Sequence, residues 1–125
     1  MSNNYNISKR IRSFGYAFVG LVELVKSEPN AQIHVIATIV AVSAGAFLKI
    51  SNPEWCVLFL VIALVWAAEA FNTAIEKLTD HLFPEIHETA RIVKDIAAGG
   101  VLICAMAALL TGGIIFLPKI ICLWH

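Results

Sequence analysis

Residues 54–80 read EWCVLFLVIALVWAAEAFNTAIEKLTD. From Trp55 to Ala68 the stretch is apolar, and then Glu69, Asn72, Glu76 and Asp80 follow at intervals of three, four and four. No Gly or Pro interrupts the run before Phe83, so one continuous helix is predicted. At about 100° per residue the four polar positions fall within an arc of about 80°. Phe71, Ala74, Ile75 and Leu78 occupy the remaining faces. The helix is an apolar rod with a stripe of carboxylates and an amide at one end.

Two more apolar stretches flank it. One covers 31–50, with Gln32, His34 and Lys49 near its ends; the other, 96–117, carries no charge. A membrane-spanning helix takes about 20 residues, so three spans are predicted, in helices over 31–50, 54–80 and 90–117. The chain is 59% hydrophobic and 14% charged, with mean hydropathy +0.80. Soluble domains hold about 45–50% and 25%, so the excess apolar surface needs lipid. Ahead of the spans, residues 8–26 place Ile11, Phe14, Phe18, Leu21, Val22 and Val25 on one face, with Lys9, Arg12, Glu23 and Lys26 around the other side. That is the pattern of a helix lying in the membrane interface. Ser27-Glu28-Pro29-Asn30 reads as the turn into the first span. The fold expected is all-α and integral to the membrane, in one domain over 1–125.

Basic residues give the orientation. Lys9, Arg10, Arg12, Lys26, Lys77, Arg91 and Lys94 lie on one side, and only Lys49 and Lys119 on the other. The N-terminus and residues 77–95 are therefore expected in the cytoplasm, with 50–54 and the C-terminus outside. The polar start carries no signal-peptide h-region. Net charge is zero, and no basic cluster is interleaved with aromatics, so nucleic acid is not an expected partner. Cys56, Cys104 and Cys122 match no metal or redox spacing and are read as small buried hydrophobes.

Glu69 lies about 22 Å beyond Glu54 at 1.5 Å per residue, within a hydrocarbon core about 30 Å thick. It is expected just inside the cytoplasmic boundary, with Glu76 at the aqueous edge and Asp80 in water. A carboxylate inside the membrane costs about 2.5–3.5 kcal/mol on insertion scales and is a functional candidate by default. It could serve as general base for a hydroxyl. The competing reading leaves Glu69 and Asn72 as hydrogen-bonding glue between helices and Asp80 as a solvated helix end. Lys94-Asp95 opens the third span and alone reads as flanking charge. Beside the stripe it makes a candidate MgATP site, with Lys94 for phosphate and Asp95 holding that lysine or a metal-bound water. Mg²⁺ prefers one or two carboxylates plus phosphate oxygens, and Glu28 and Glu76 lie at the same level. Glu28 could otherwise be a helix-end residue. There is no Walker A sequence; Gly99-Gly100 and Gly112-Gly113 read as close helix packing. His34 could meet a lipid headgroup or a neighbouring helix, and His87 reads as solvated.

The set Glu69-Ala-Phe-Asn72-Thr-Ala-Ile-Glu76-x3-Asp80, with Lys94-Asp95-x-Ala97-Ala98, resembles the signature of the prokaryotic diacylglycerol kinase family, which includes undecaprenol kinases. The resemblance runs from about Lys9 to Leu117 and includes Phe14-Gly15-Tyr16-Ala17 and Glu28. It implies an ATP-dependent lipid kinase of the bacterial inner membrane, active in phospholipid and lipid metabolism. It further implies Glu69 as catalytic base with Asn72 beside it, and Glu28 and Glu76 as Mg²⁺ ligands. Lys94 and Asp95 would lie around the ATP phosphates. Lys9, Tyr16, Glu85, Ile86 and His87 would lie near the nucleotide, although Lys9 stands where some members have Arg. The lipid would lie against Ser13, Phe14, Phe18, Asn30, His34, Trp55, Glu69 and Ala98. The family also implies a homotrimer with active sites shared between subunits.

Asn30-x2-Ile33-His34, Glu54-Trp55 and Asn72-Thr73-Ala74 look more like the undecaprenol branch, so undecaprenol is slightly favoured over diacylglycerol as the lipid alcohol. A transporter or a structural subunit is the expectation from a different class. The absence of an ionisable residue between Glu54 and Glu69 argues against an ion path.

Overall fold

The computed structural model describes residues 7–124; the start that reads as leaderless lies outside them. The described residues form four helices, α1 (Ile7–Ser27), α2 (Pro29–Phe47), α3 (Asn52–Leu82) and α4 (Glu88–Leu123). The last three are long and apolar enough to cross a membrane.

The stretch 54–80 is a single helix, as its unbroken sequence predicts. A capping box starts α3: Ser51 Oγ accepts from Glu54 N at 3.4 Å, and Glu54 Oε2 accepts from Ser51 N at 2.7 Å. This satisfies amides that have no partner inside the helix. α4 returns antiparallel along α3, and the pair is tied at both ends. Lys119 Nζ is 3.2 Å from Glu54 Oε2, and Lys94 Nζ is 2.8 Å from Asp80 Oδ1. Along α3 these ties are about 39 Å apart at 1.5 Å per residue, close to the thickness of a bilayer with its headgroups, about 40–45 Å.

α2 begins at Pro29, whose fixed φ suits the first helical turn. Glu28 before it is extended, as a residue preceding proline should be. The helix ends at Phe47 rather than at 50. Lys49 takes a left-handed φ of 52°. Ile50 N then donates to Gly45 O at 3.1 Å, and Lys49 N to Ala46 O at 3.3 Å, the bond pair of a Schellman turn. Gly45 has a second reason to lack a side chain. A Cβ there would lie 2.8 Å from Trp55 Cη2 and 3.0 Å from Ile50 Cδ1. Trp55 in turn stacks on Phe59 at 5.2 Å. The apolar core of Ile50, Leu58 and Ile115 lies at this end, remote from the stripe.

Two further expectations are corrected. α4 does not stop at 117 but continues through Pro118 to Leu123; proline is tolerated in membrane helices more readily than in soluble ones. The cysteines are not buried hydrophobes: Cys56 and Cys122 are exposed and Cys104 partly so. A free thiol behaves as a small hydrophobe, so its exposure is compatible with helices long and apolar enough to cross a membrane. α1 also shows its apolar residues, including Ile11, Phe14, Phe18 and Val22, and buries only Leu24.

Candidate active site

The stripe on α3 becomes progressively drier along the helix. Asp80 is exposed, Glu76 is half-buried, Asn72 is buried, and Glu69 is only 2% exposed. α2 and α4 close around it. A cleft of about 280 Å³ is lined by Asn30 and His34 from α2, by Glu69, Asn72 and Glu76 from α3, and by Ala98 from α4, among others. These six were all site candidates in the sequence, and the fold brings them together.

The polar atoms within the cleft are incompletely paired. Asn72 Nδ2 donates to Glu76 Oε1 at 3.2 Å, leaving Asn72 Oδ1 buried without a partner. His34 Nε2 and Glu69 Oε2 are 3.7 Å apart, too far for a hydrogen bond, and both are buried and unpartnered. A second, larger space of about 510 Å³ adjoins the cleft and shares His34 and Ala105 with it. Its lining is apolar, from residues such as Leu58, Val61, Val65 and Phe116.

At the wetter end Glu28 lies 3.9 Å from Lys77 Nζ and accepts from Ser27 Oγ at 3.1 Å. Glu28 and Glu76 are both near enough to act electrostatically on Glu69. Among the described residues no three His, Cys, Asp or Glu gather to hold a metal ion. That donor set fits Mg²⁺ only as the ion is normally held with nucleotide, by one or two carboxylates completed by phosphate oxygens and water. Lys94 stands on the polar turns ahead of the apolar run of α4. It donates a hydrogen bond to Asp80 Oδ1 at 2.8 Å. Asp95 accepts from Arg91 at 2.7 Å.

Other candidates lie apart from the cleft within one chain. Lys9, Ser13, Phe14, Tyr16 and Phe18 are exposed on α1, where Ser13 Oγ donates to Lys9 O at 3.0 Å. Glu85, Ile86 and His87 are exposed in the α3–α4 connection, with the His87 ring 4.9 Å from that of Phe83. Trp55 packs over Gly45 near the start of α3, about 21 Å along the helix from Glu69.

Three residues near the site were missed in the sequence. Thr73 buries an unpartnered hydroxyl beside Asn72. Thr38 and Trp66 join α2 to α3 through a hydrogen bond of 3.1 Å. Their positions carried a usable signal: Thr38 is four residues beyond His34, and Trp66 three before Glu69, so each shares a helix face with a polar candidate.

Residues 15–116 match the family described as prokaryotic diacylglycerol kinase. The chain is 34% identical over 114 residues to an undecaprenol kinase of Bacillus subtilis, covering 91% of this chain and 93% of that one. It is 36% identical over 112 residues to a diacylglycerol kinase of Synechocystis, covering 89% of this chain and 64% of the other. With the diacylglycerol kinase of Escherichia coli K12 the identity is 27% over 110 residues, covering 88% and 90%. The match runs through the helix that carries the stripe and through the other two spans, and the chain belongs to the prokaryotic diacylglycerol kinase family.

Proposed function

We propose that this chain transfers the γ-phosphoryl group of ATP to the primary hydroxyl of a membrane lipid alcohol. Membership of this family supports a lipid kinase that uses ATP with Mg²⁺, and three helices long and apolar enough to cross a membrane support a multi-pass protein of the bacterial inner membrane. The observation that carries the reading is Glu69, whose buried Oε2 lacks a partner in a cleft lined by candidate site residues. An unsatisfied buried acceptor costs about 1–3 kcal/mol. A substrate hydroxyl would supply the missing donor.

In this reading Glu69 takes the hydroxyl proton as the lipid oxygen bonds to the γ-phosphorus. The bond from phosphorus to the β–γ bridging oxygen breaks, and ADP leaves with its electron pair. Such transfers depend mainly on positioning and charge stabilisation. Asn72 orients Glu76 and keeps its own oxygen facing the cleft. Glu28 and Glu76 would hold Mg²⁺, which when bound neutralises charge on the phosphate oxygens. Lys94 and Asp95 lie toward the phosphates, with Asp80 holding Lys94. Lys9, Tyr16, Glu85, Ile86 and His87 contact the nucleotide, and Ser13, Phe14, Phe18, Asn30, His34, Trp55 and Ala98 the lipid.

Several of those residues stand outside the cleft of their own chain. This supports a homotrimer in which a neighbouring copy completes each site. The apolar face that α1 exposes supports its lying in the interface. The distribution of basic residues supports a cytoplasmic N-terminus and an outer C-terminus. Undecaprenol is narrowly favoured as acceptor over diacylglycerol, on the near-full-length similarity to the Bacillus enzyme.

The test is transfer of radiolabelled γ-phosphate by the purified protein in lipid micelles, with undecaprenol and diacylglycerol compared, with and without a Mg²⁺ chelator. Transfer to one lipid that ceases on chelation is expected. Failure with both lipids would sink the proposal.

A further inference from the structure

We infer that Trp66 and Thr38 are positioning residues for His34, and that His34 Nε2 and Glu69 Oε2 together grip the acceptor hydroxyl. The inference rests on the phosphoryl-transfer reading above. It adds a second contact to the nucleophile and the device that aims it.

The device is a chain of contacts between α2 and α3. Trp66 Nε1 donates to Thr38 Oγ1 at 3.1 Å, and the Thr38 hydroxyl donates to His34 O at 2.7 Å. The hydroxyl proton is thus committed to the backbone of α2, which leaves a lone pair facing α3. An indole N–H in apolar surroundings needs an acceptor, and Thr38 fixes where it points. The indole then stands edge-on to the His34 imidazole, with centroids 6.3 Å apart and planes at 66°. The His34 side chain is 17% exposed, so the indole bears on a ring with little freedom to turn.

So held, the imidazole presents Nε2 toward Glu69 Oε2 at 3.7 Å, with neither atom partnered. That gap is too long for a direct bond and suits a shared one. An oxygen about 2.8 Å from each atom would bridge them at an angle of about 80°, once a small side-chain movement opens these buried atoms to it. One lipid hydroxyl can then donate to Glu69 and accept from the His34 N–H. The two orphaned atoms are satisfied by a single ligand oxygen. During transfer the hydroxyl proton passes to Glu69 and His34 keeps its own. Of the neighbouring donors in the cleft, Asn72 Nδ2 is already bound to Glu76, and its unpartnered Oδ1 is an acceptor that cannot replace the His34 N–H.

The experiment is steady-state phosphoryl transfer by the full-length protein in lipid micelles. Trp66→Phe, Thr38→Val and their combination are measured in the wild-type and His34→Ala backgrounds, each per unit of folded protein judged by its thermal midpoint. Misplacing a reacting group by an ångström costs up to about a hundredfold, so each single variant should lower kcat by on the order of tenfold to a hundredfold. KM for MgATP should stay unchanged. The combination should be no worse than the worse single, and both losses should vanish in His34→Ala. Thr38→Ser keeps the hydroxyl and should retain activity. Unchanged kcat in both single variants, equal losses in His34→Ala, or a Thr38→Ser variant as poor as Thr38→Val would overturn the inference. Glu69→Gln serves as the control: if it stays active, the base reading itself fails; if it is dead while Trp66→Phe and Thr38→Val are intact, only the brace fails.

Discussion

Replacing Glu69 with Gln should stabilise the protein and abolish its activity together. The side chain is 2% exposed within a helix long and apolar enough to span the membrane, and its Oε2 has no hydrogen-bond partner. An acidic residue in such a helix costs about 2.5–3.5 kcal/mol on insertion scales. Gln still buries an amide, at about 1–3 kcal/mol by mutational data. Those insertion costs apply at the helix centre, so nearer the boundary the difference leaves about 1 kcal/mol or less in favour of the variant. Its shape is nearly the same, so neither a cavity nor a clash offsets the gain. A general base is worth about 10²–10⁴-fold, which at 1.36 kcal/mol per tenfold raises the barrier by about 3–5 kcal/mol. The two effects therefore have opposite signs, as expected where a site keeps a destabilising group for its chemistry. Two measurements check this: transfer of labelled γ-phosphate at saturating substrates, and the midpoint of unfolding in a detergent titration. Activity close to wild type would remove Glu69 as base. A clearly destabilised variant would show that the carboxylate is paired in the assembled protein and that its role is structural.

Gly45→Ala should lower stability by about 1–3 kcal/mol, as overpacking does, because its Cβ would meet Trp55 Cη2 at 2.8 Å; a fall in the unfolding midpoint with activity per folded molecule retained is expected. Lys49→Gly should raise that midpoint by the equivalent of about 1 kcal/mol, since a left-handed backbone is costly for a residue with a Cβ and Lys49 sits at φ 52°. Lys94→Met should raise KM for ATP with little change in stability, since the Asp80 partner is 64% exposed and such ion pairs contribute about 1 kcal/mol or less; a stability loss with unchanged KM would make the pair structural.

The helices were legible because their causes are local. The run 54–80 has no breaker, Pro29 sits where a helix can begin, and the stripe repeats at helical intervals. The ends were less legible. The C-terminus of α2 depends on Lys49 accepting a conformation normally left to Gly, so nothing in the residue type gave it away. α4 passes through Pro118, which by itself reads as a stop. The site was half legible for a similar reason. Glu69, Asn72 and Glu76 share one helix, so spacing alone aligns them, whereas His34, Asn30 and Ala98 join them only once α2 and α4 are packed. The Trp66–Thr38 bond is a contact across 28 positions, and in sequence its two members look like ordinary span residues.

Depth explains why a stripe, rather than a single carboxylate, suits this chemistry. A lipid hydroxyl is tethered to hydrocarbon, and a nucleotide is excluded from it, so the two can meet only at an intermediate level. From Asp80 to Glu69 the stripe descends about 16 Å at 1.5 Å per residue, passing from exposed through half-buried to dry. The paired charges Asp80–Lys94 and Glu28–Lys77 lie at its wetter end, where phosphates can be met by cations before they are desolvated. The orphaned oxygen of Glu69 waits at the dry end, beside an apolar space. Moving the proposed base four residues deeper, to Val65, would carry it about 6 Å further from the cations and into the apolar lining. Moving it four residues the other way, to Thr73, would carry it about 6 Å away from the apolar space, so that the lipid hydroxyl would have to leave the hydrocarbon to reach it. On the proposed reading, Glu69 thus stands at the level where a lipid hydroxyl and a nucleotide phosphate would meet.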